Sequence, residues 1–385
     1  MPLPPPSAEA QQHSDQLCRL IRGEIAANGG RISFARYMEL ALYAPGLGYY
    51  NAGARKLGAG GDFLTAPELS PLFGRTLAQQ AKQILERGYD QILEIGAGSG
   101  ALAAALLEEL ERLGRLPRHY HILEISPDLR SRSRDRLAAH VPHLLERVAW
   151  LNQLPPAFSG LIIGNEVLDA MPVNVVLMRK RDILEADVQY DTDKNGFDWH
   201  ETRAPDPLRE AASRLNLPAD NYRTEIGLAA QGFLRSLAST LQEGVALFID
   251  YGFPAREYYH PQRSQGTLMC HYRHHAHADP FFLPGLQDIT SHVDFSAIAR
   301  AGVEAGLSLL GYTSQAQFLI NCSITEILAE VPPDDAAAYL PLASAAQKLL
   351  SPAEMGELFK VLALGKGVTE KLLGFASGDK SSVLS

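Results

Sequence analysis

One stretch constrains this chain more than any other. In QILEIGAGSGALAAALL, residues 91–107, an apolar run meets glycines at 96, 98 and 100 and leaves as an amphipathic segment. Each glycine inside a regular helix or strand costs roughly 0.5–1 kcal/mol, so three in five positions mark a turn. A buried strand, a tight turn and a helix form the opening unit of an α/β sheet. The alternation continues. Strands are expected at 91–95, 120–125, 148–151, 161–164, 245–250, 307–312 and 359–364, with helices at 71–87, 99–113 and 127–140. That rhythm predicts a doubly wound, Rossmann-like parallel sheet with helices on both faces.

Ahead of the sheet, Leu17, Leu20, Ile21 and Ile25 recur at helical spacing over 14–27, and 32–43 repeats the pattern. The first eight residues, MPLPPPSA, are expected to be a loose tail. Between Gly46 and Ser70 lies a Gly-rich stretch too long for an ordinary connection. In it Thr65-x-x-Glu68 has the form of a capping box, and Ser70-Pro71 that of a helix start. The chain therefore divides into a helical region with a Gly-rich lid loop (1–70) and a main domain (71–385). Insertions at about 173–243 and 253–305 are expected over the sheet's carboxyl edge.

Composition removes several classes. No apolar run reaches the roughly 18 residues of a membrane helix, and the stretch at 101–107 soon meets Glu108 and Glu109. A net charge of −9 argues against a nucleic-acid partner. Cys18, Cys270 and Cys322 are odd in number and far apart, forming neither a disulfide framework nor a zinc pair. With no basic n-region at the start, a reducing, cytoplasmic setting is expected.

The glycine turn should lie beyond the carboxyl ends of the strands, where ligands of such sheets bind. Gly96, Gly98 and Gly100 let backbone approach a ligand, and the helix start offers free N–H groups. The spacing also satisfies a dinucleotide fingerprint, and a tight turn without a ligand has the same form. Glu124, ending the second strand, could hold the ribose hydroxyls of either NAD or S-adenosylmethionine (SAM). Three features tilt toward SAM. Glu94 stands inside the motif strand, the motif follows a helical preamble, and the 161–164 strand runs into Asn165-Glu166-Val167-Leu168-Asp169, where a methyl acceptor would sit. The Asn-Pro-Pro-aromatic turn of nucleic-acid amino-methylases is absent there.

Several blocks then carry a resemblance. GYYNAGARKLGAGGDFLTAPELSPLFG, LEIGAGSGALA, NEVLDAMPV, IDYGFPAREYYHPQRSQGTLMCHYRHHAHADPF, PGLQDITSHVDF and EMGELFKVLALGKG together resemble the MidA-type methyltransferase family, from about residue 32 to 367. The resemblance implies a class I SAM-dependent methyltransferase fold. Mitochondrial members of the family assist assembly of respiratory complex I and symmetrically dimethylate an arginine of one of its subunits. No transit-type N-terminus is evident, so the chain reads as a bacterial relative, with a protein acceptor expected and its identity open.

An arginine acceptor stays charged, so its site needs carboxylates that grip the guanidinium. Glu166 is the first candidate for that clamp, with Asp169 facing the same ligand if a helix starts there, and Asn165 nearer the SAM. An N-cap pair is the plainer reading of Asn165 and Asp169. Asp62, with Phe63, would contact ligand from the lid loop, or simply belong to an ordered loop. His292 and Asp294 could line the acceptor groove, although a core histidine has the same signature. His271, His274, His275 and His277 lack a cysteine pair or an H-E-x-x-H helix, so no metal is expected. The arginines at 130, 132, 134 and 136 would spread round a helix as a solvated surface. Competing classes are an assembly factor that retains the fold, a small-molecule methyltransferase and a nicotinamide oxidoreductase.

Overall fold

The computed structural model describes residues 3–52 and 65–384. The chain divides into two units. The described residues of Met1–Phe63, Asp169–Gly232 and Phe253–Asp294 form one, and those of Leu64–Leu168, Phe233–Gly252 and Phe295–Ser385 the other.

The second unit is built on an α/β sheet. Its strands run in the order Ser308–Ser314, Phe359–Lys366, Leu241–Phe253, Phe158–Asn165, Gln91–Ile95, His119–Leu123, Val148–Leu151. The last five are parallel neighbours. Ile92, Leu93, Leu161, Ile162, Ile163 and Val245 through Ile249 are all buried. Near-continuous apolar runs of this kind belong to strands covered on both faces. Leu72, Phe73, Leu77, Ala81 and Ile84 of helix Pro71–Leu85 join that core, with Leu102, Leu106, Leu107 and Leu110 of helix Ala101–Arg112. Gly74 lets the two helices close up, since a Cβ there would meet Ala105 Cβ at 2.7 Å.

The sheet expected to be parallel is mixed at one edge. Phe359–Lys366 is antiparallel both to Leu241–Phe253 and to Ser308–Ser314. A strand buried on both faces carries the same apolar run in either direction, so its composition does not encode its sense.

The first unit holds two antiparallel sheets. In one, Arg31–Ser33, Asp182–Asp191, Asn174–Arg179 and Tyr222–Ile226 follow in order, and Gly196–Arg203 also pairs with Asp182–Asp191. Val175, Leu177, Ala186 and Val188 from this sheet form a core with Leu17 and Ile21 of helix Ala8–Ala27 and with Phe34, Tyr37 and Met38 of helix Phe34–Tyr43. In the other sheet, Met269–Tyr272 lies between His275–His277 and Asp288–Thr290. The first helix begins earlier than the sequence suggests, because Ser7 caps it by accepting from Ala10 N. Helix Asp206–Ser213 and strand Tyr222–Ile226 lie within the insertion expected at about 173–243, outside the strands and helices expected from the sequence. No helix among the described residues is long and apolar enough to cross a membrane.

Candidate active site

The glycine turn leaves strand Gln91–Ile95 with Gly96, Gly98 and Gly100 at φ of 68°, 54° and 82°. L-residues rarely adopt such values, so the spacing of the three glycines follows from the path of the turn. Gly100 is also the N-cap of helix Ala101–Arg112, which has no side-chain cap. A Cβ at Gly100 would stand 2.9 Å from Ser133 Cα. The turn is thus pressed against helix Pro127–His140, with the uncapped helix start presented beside it.

Two acids lie at this end of the sheet, and one of them, Glu124, braces the turn. Glu124, one residue past strand His119–Leu123, accepts Gly98 N–H at 3.1 Å and Ser126 N–H at 2.9 Å. Burial pushes its carboxyl above the ordinary range, while these amides pull it back. Glu94 is buried inside the motif strand and accepts the Tyr120 hydroxyl at 2.7 Å. Burial raises its pKa from the usual 4.5 to about 7, the Tyr120 bond opposes the rise, and the charge of Glu124 adds to it.

The neighbouring strand ends at Asn165, with Gly164 in register with Ile95. Asn165 donates from Nδ2 to Glu166 Oε1 at 3.2 Å. Its buried Oδ1 meets no hydrogen-bond donor among the described residues. A buried acceptor of that kind suits a cationic donor such as the α-ammonium of SAM. Gly96, Gly98, Gly100, Glu124 and Asn165 therefore fit the group that the sequence implied.

Glu166 adopts φ 52°, and its N–H bonds to Ile249 O at 2.9 Å. No helix follows; residues 166–171 form bends and turns. Neither the N-cap reading nor the helical route for bringing Glu166 and Asp169 to one ligand holds. The amides that would have opened such a helix are taken instead by Asp250, whose Oδ2 accepts Val167 N–H at 3.1 Å and Leu168 N–H at 2.9 Å. Sequence reasoning passed over Asp250. Its signal was an acid closing the apolar run VALFID, where an unpaired charge would be costly.

Glu68 differs from the capping-box expectation. Thr65 makes no side-chain cap. Glu68 accepts the Ser99 hydroxyl of the glycine turn instead, and Arg136 at 3.1 and 3.2 Å. The arginine run is likewise more than a solvated surface. Arg130 donates to Asn152 and to Trp150 O, Arg134 lies 4.8 Å over the Trp150 ring, and Arg132 pairs with Asp128. Two-residue spacing spreads them over several neighbours.

The remaining candidates belong to the other unit. Asp169 is buried, and its carbonyl accepts Ser291 N–H at 3.0 Å. His292 lies in the next position along the chain. Its backbone N–H bonds to the Thr267 hydroxyl at 3.1 Å, and its ring stacks on Phe253 at 5.2 Å and 8°. Burial, assisted by the charge of Arg263, lowers its pKa from 6.5 to about 4, so the ring is neutral at neutral pH. Asp294 accepts the Tyr259 hydroxyl at 3.0 Å. His271, His275 and His277 lie on two strands of the small sheet, with His274 in the turn between them. Among the described residues, no three His, Cys, Asp or Glu side chains gather as a metal-holding group. Asp62 and Phe63 lie outside the described residues.

Comparisons with known proteins agree with this geometry. A family model for S-adenosyl-L-methionine-dependent methyltransferases matches residues 72–313. The mitochondrial protein arginine methyltransferase NDUFAF7 of Mus musculus is 30% identical over 379 residues, covering 87% of this chain and 81% of that protein. Its homolog in Drosophila melanogaster is 27% identical over 406 residues, covering 95% and 88%. A Burkholderia thailandensis protein, solved with S-adenosyl-homocysteine bound, matches with a TM-score of 0.95 at 51% identity over 99% of this chain and 100% of that one. With the glycine turn, the Glu124 brace and the open Asn165 acceptor in place, the chain belongs to the SAM-dependent methyltransferase family of MidA type.

Proposed function

We propose that this methyltransferase acts on arginine side chains of a protein, with Glu166 as the group that grips the acceptor. The observation that carries the reading is the placement of Glu166. It follows directly on the strand beside the glycine turn and is held in a left-handed conformation next to Asn165. The relatives named as protein arginine methyltransferases support the choice of acceptor. The strand order of the sheet supports the doubly wound, class I form of the fold.

SAM, when bound, supplies a methyl group on a sulfonium. The chain's own work is placement. Gly96, Gly98 and Gly100 admit the ligand's approach, Glu124 is the acid for ribose hydroxyls, and Asn165 Oδ1 accepts from an ammonium. Glu94, buried in the motif strand, is the further cofactor-side candidate. A guanidinium is cationic throughout the physiological range, so the Glu166 carboxylate would orient one nitrogen and stabilise the added positive charge. Asp62 and His292 are further candidates from the sequence, His292 as a neutral ring. A subunit of respiratory complex I is the first acceptor to try, as the family resemblance suggests, and the cytoplasm is the setting consistent with three free cysteines.

The test incubates the protein with methyl-labelled SAM and a lysate lacking its own copy. Label recovered as methylarginine in one protein supports the proposal; label only in small molecules or on other residues refutes it. Glu166→Gln should slow the labelling about 10- to 100-fold, the worth of one charged hydrogen bond. Partner assembly that survives this change unaltered would favour the assembly-factor alternative.

A further inference from the structure

Glu166 has a backbone conformation that a glutamate does not adopt by itself. A non-glycine residue at φ 52° is strained and persists only where its surroundings over-determine it. Those surroundings come from one strand, Leu241–Phe253. Ile249 is in register with Asn165, and its carbonyl takes the N–H of Glu166 at 2.9 Å. The next residue, Asp250, takes the N–H groups of Val167 and Leu168 on Oδ2, at 3.1 and 2.9 Å, and that of Tyr251 on Oδ1 at 2.9 Å. Three consecutive amides of the turn, those of residues 166, 167 and 168, thus end on two consecutive residues of a single strand.

Asp250 is only 1% exposed. A carboxylate so deeply buried is costly unless its charge is met, and here backbone dipoles meet it. The same turn touches the glycine motif: a Cβ at Gly96 would stand 3.0 Å from Val167 Cγ2. The position of Val167, fixed by Asp250, is therefore shared with the cofactor side of the site.

We propose that Asp250 is a positioning residue for methyl transfer. It clamps the turn after strand Phe158–Asn165 and so fixes the backbone from which the Glu166 side chain reaches the acceptor, without touching a ligand itself. This rests on the reading that Glu166 grips the acceptor.

The experiment measures the rate of methyl labelling at saturating SAM in a lysate lacking the chain's own copy, normalised to sites that bind S-adenosyl-homocysteine by calorimetry. Asp250→Asn should bind S-adenosyl-homocysteine within about 3-fold of the parent yet label about 10-fold more slowly, and combined with Glu166→Gln it should be no slower than Glu166→Gln alone. A variant acting independently of Glu166 would multiply with Glu166→Gln, and that result overturns the proposal. Full activity in Asp250→Asn beside a slow Glu166→Gln overturns the role of Asp250 and leaves the clamp standing. An unaffected Glu166→Gln removes the clamp, and Asp250 with it. Asp250→Ser, which keeps one acceptor oxygen in a smaller side chain, serves if the asparagine variant does not fold. If neither binds S-adenosyl-homocysteine, Asp250 is a folding residue and the proposal fails.

Discussion

Gly98 donates its backbone N–H to Glu124 Oε2 at 3.1 Å, so an acid beyond one strand holds the glycine turn beyond its neighbour. The same carboxylate is the candidate for ribose hydroxyls, which makes its charge count twice. Glu124→Gln should weaken S-adenosyl-homocysteine binding by about 10- to 100-fold, since one hydrogen bond to a charged group is worth about 1.5–3 kcal/mol. Titration calorimetry reads the change directly. Affinity within a factor of two of the parent would show that the turn holds its shape, and its ligand, without the charge.

Gly100→Ala puts a methyl group 2.9 Å from Ser133 Cα at a residue with φ 82°. Both backbone strain and a clash with helix backbone oppose it. A stability loss of about 1–3 kcal/mol is expected in urea unfolding, accompanied by weaker cofactor binding. Gly114→Ala is the control: its φ of 67° brings strain, but nothing lies within 4 Å of the added Cβ. The control should lose stability and keep cofactor affinity.

Glu94 predicts a pH effect of definite sign. Its pKa stands at about 7 in the folded chain against 4.5 ordinarily, so between those values the native state holds the extra proton. Stability from this group is complete below pH 4.5 and is lost as pH rises through 7, by about 3 kcal/mol for a shift of this size. Glu94→Gln, which still accepts from Tyr120, should flatten the fall between pH 5 and 8 in denaturant titrations. An equal slope in parent and variant would place the proton elsewhere.

His292 predicts the opposite slope. Its pKa is lowered from 6.5 to about 4, so its contribution is present above pH 6.5 and is lost as pH falls through 4. His292→Phe keeps a ring against Phe253 and has nothing to protonate. Its melting temperature should fall less than that of the parent between pH 6.5 and 4.

The sheet was legible in the sequence because its central strands are buried on both faces. Gln91–Ile95 and Phe158–Asn165 announced themselves as bounded apolar runs, and Pro127–His140 through proline at its first position. The glycine turn was legible because no other residue follows φ of 68°, 54° and 82° cheaply. What escaped was set by partners distant in the chain. Thr65-x-x-Glu68 has the letters of a capping box, yet Glu68 serves Ser99 and Arg136. Asn165 has the letters of a helix start, yet Asp250, more than 80 positions away, takes the amides such a helix would offer its cap. Local propensity describes what a segment offers, and a buried acid elsewhere can claim it first.

The sheet is completed out of sequence order. Ser308–Ser314 is joined to the parallel strands only through Phe359–Lys366, which is made later and slots in between. On the ribosome, then, the earlier strand waits with its edge groups unmet until some fifty more residues have emerged. A stalled or prematurely released chain would carry that raw edge as its most adhesive surface.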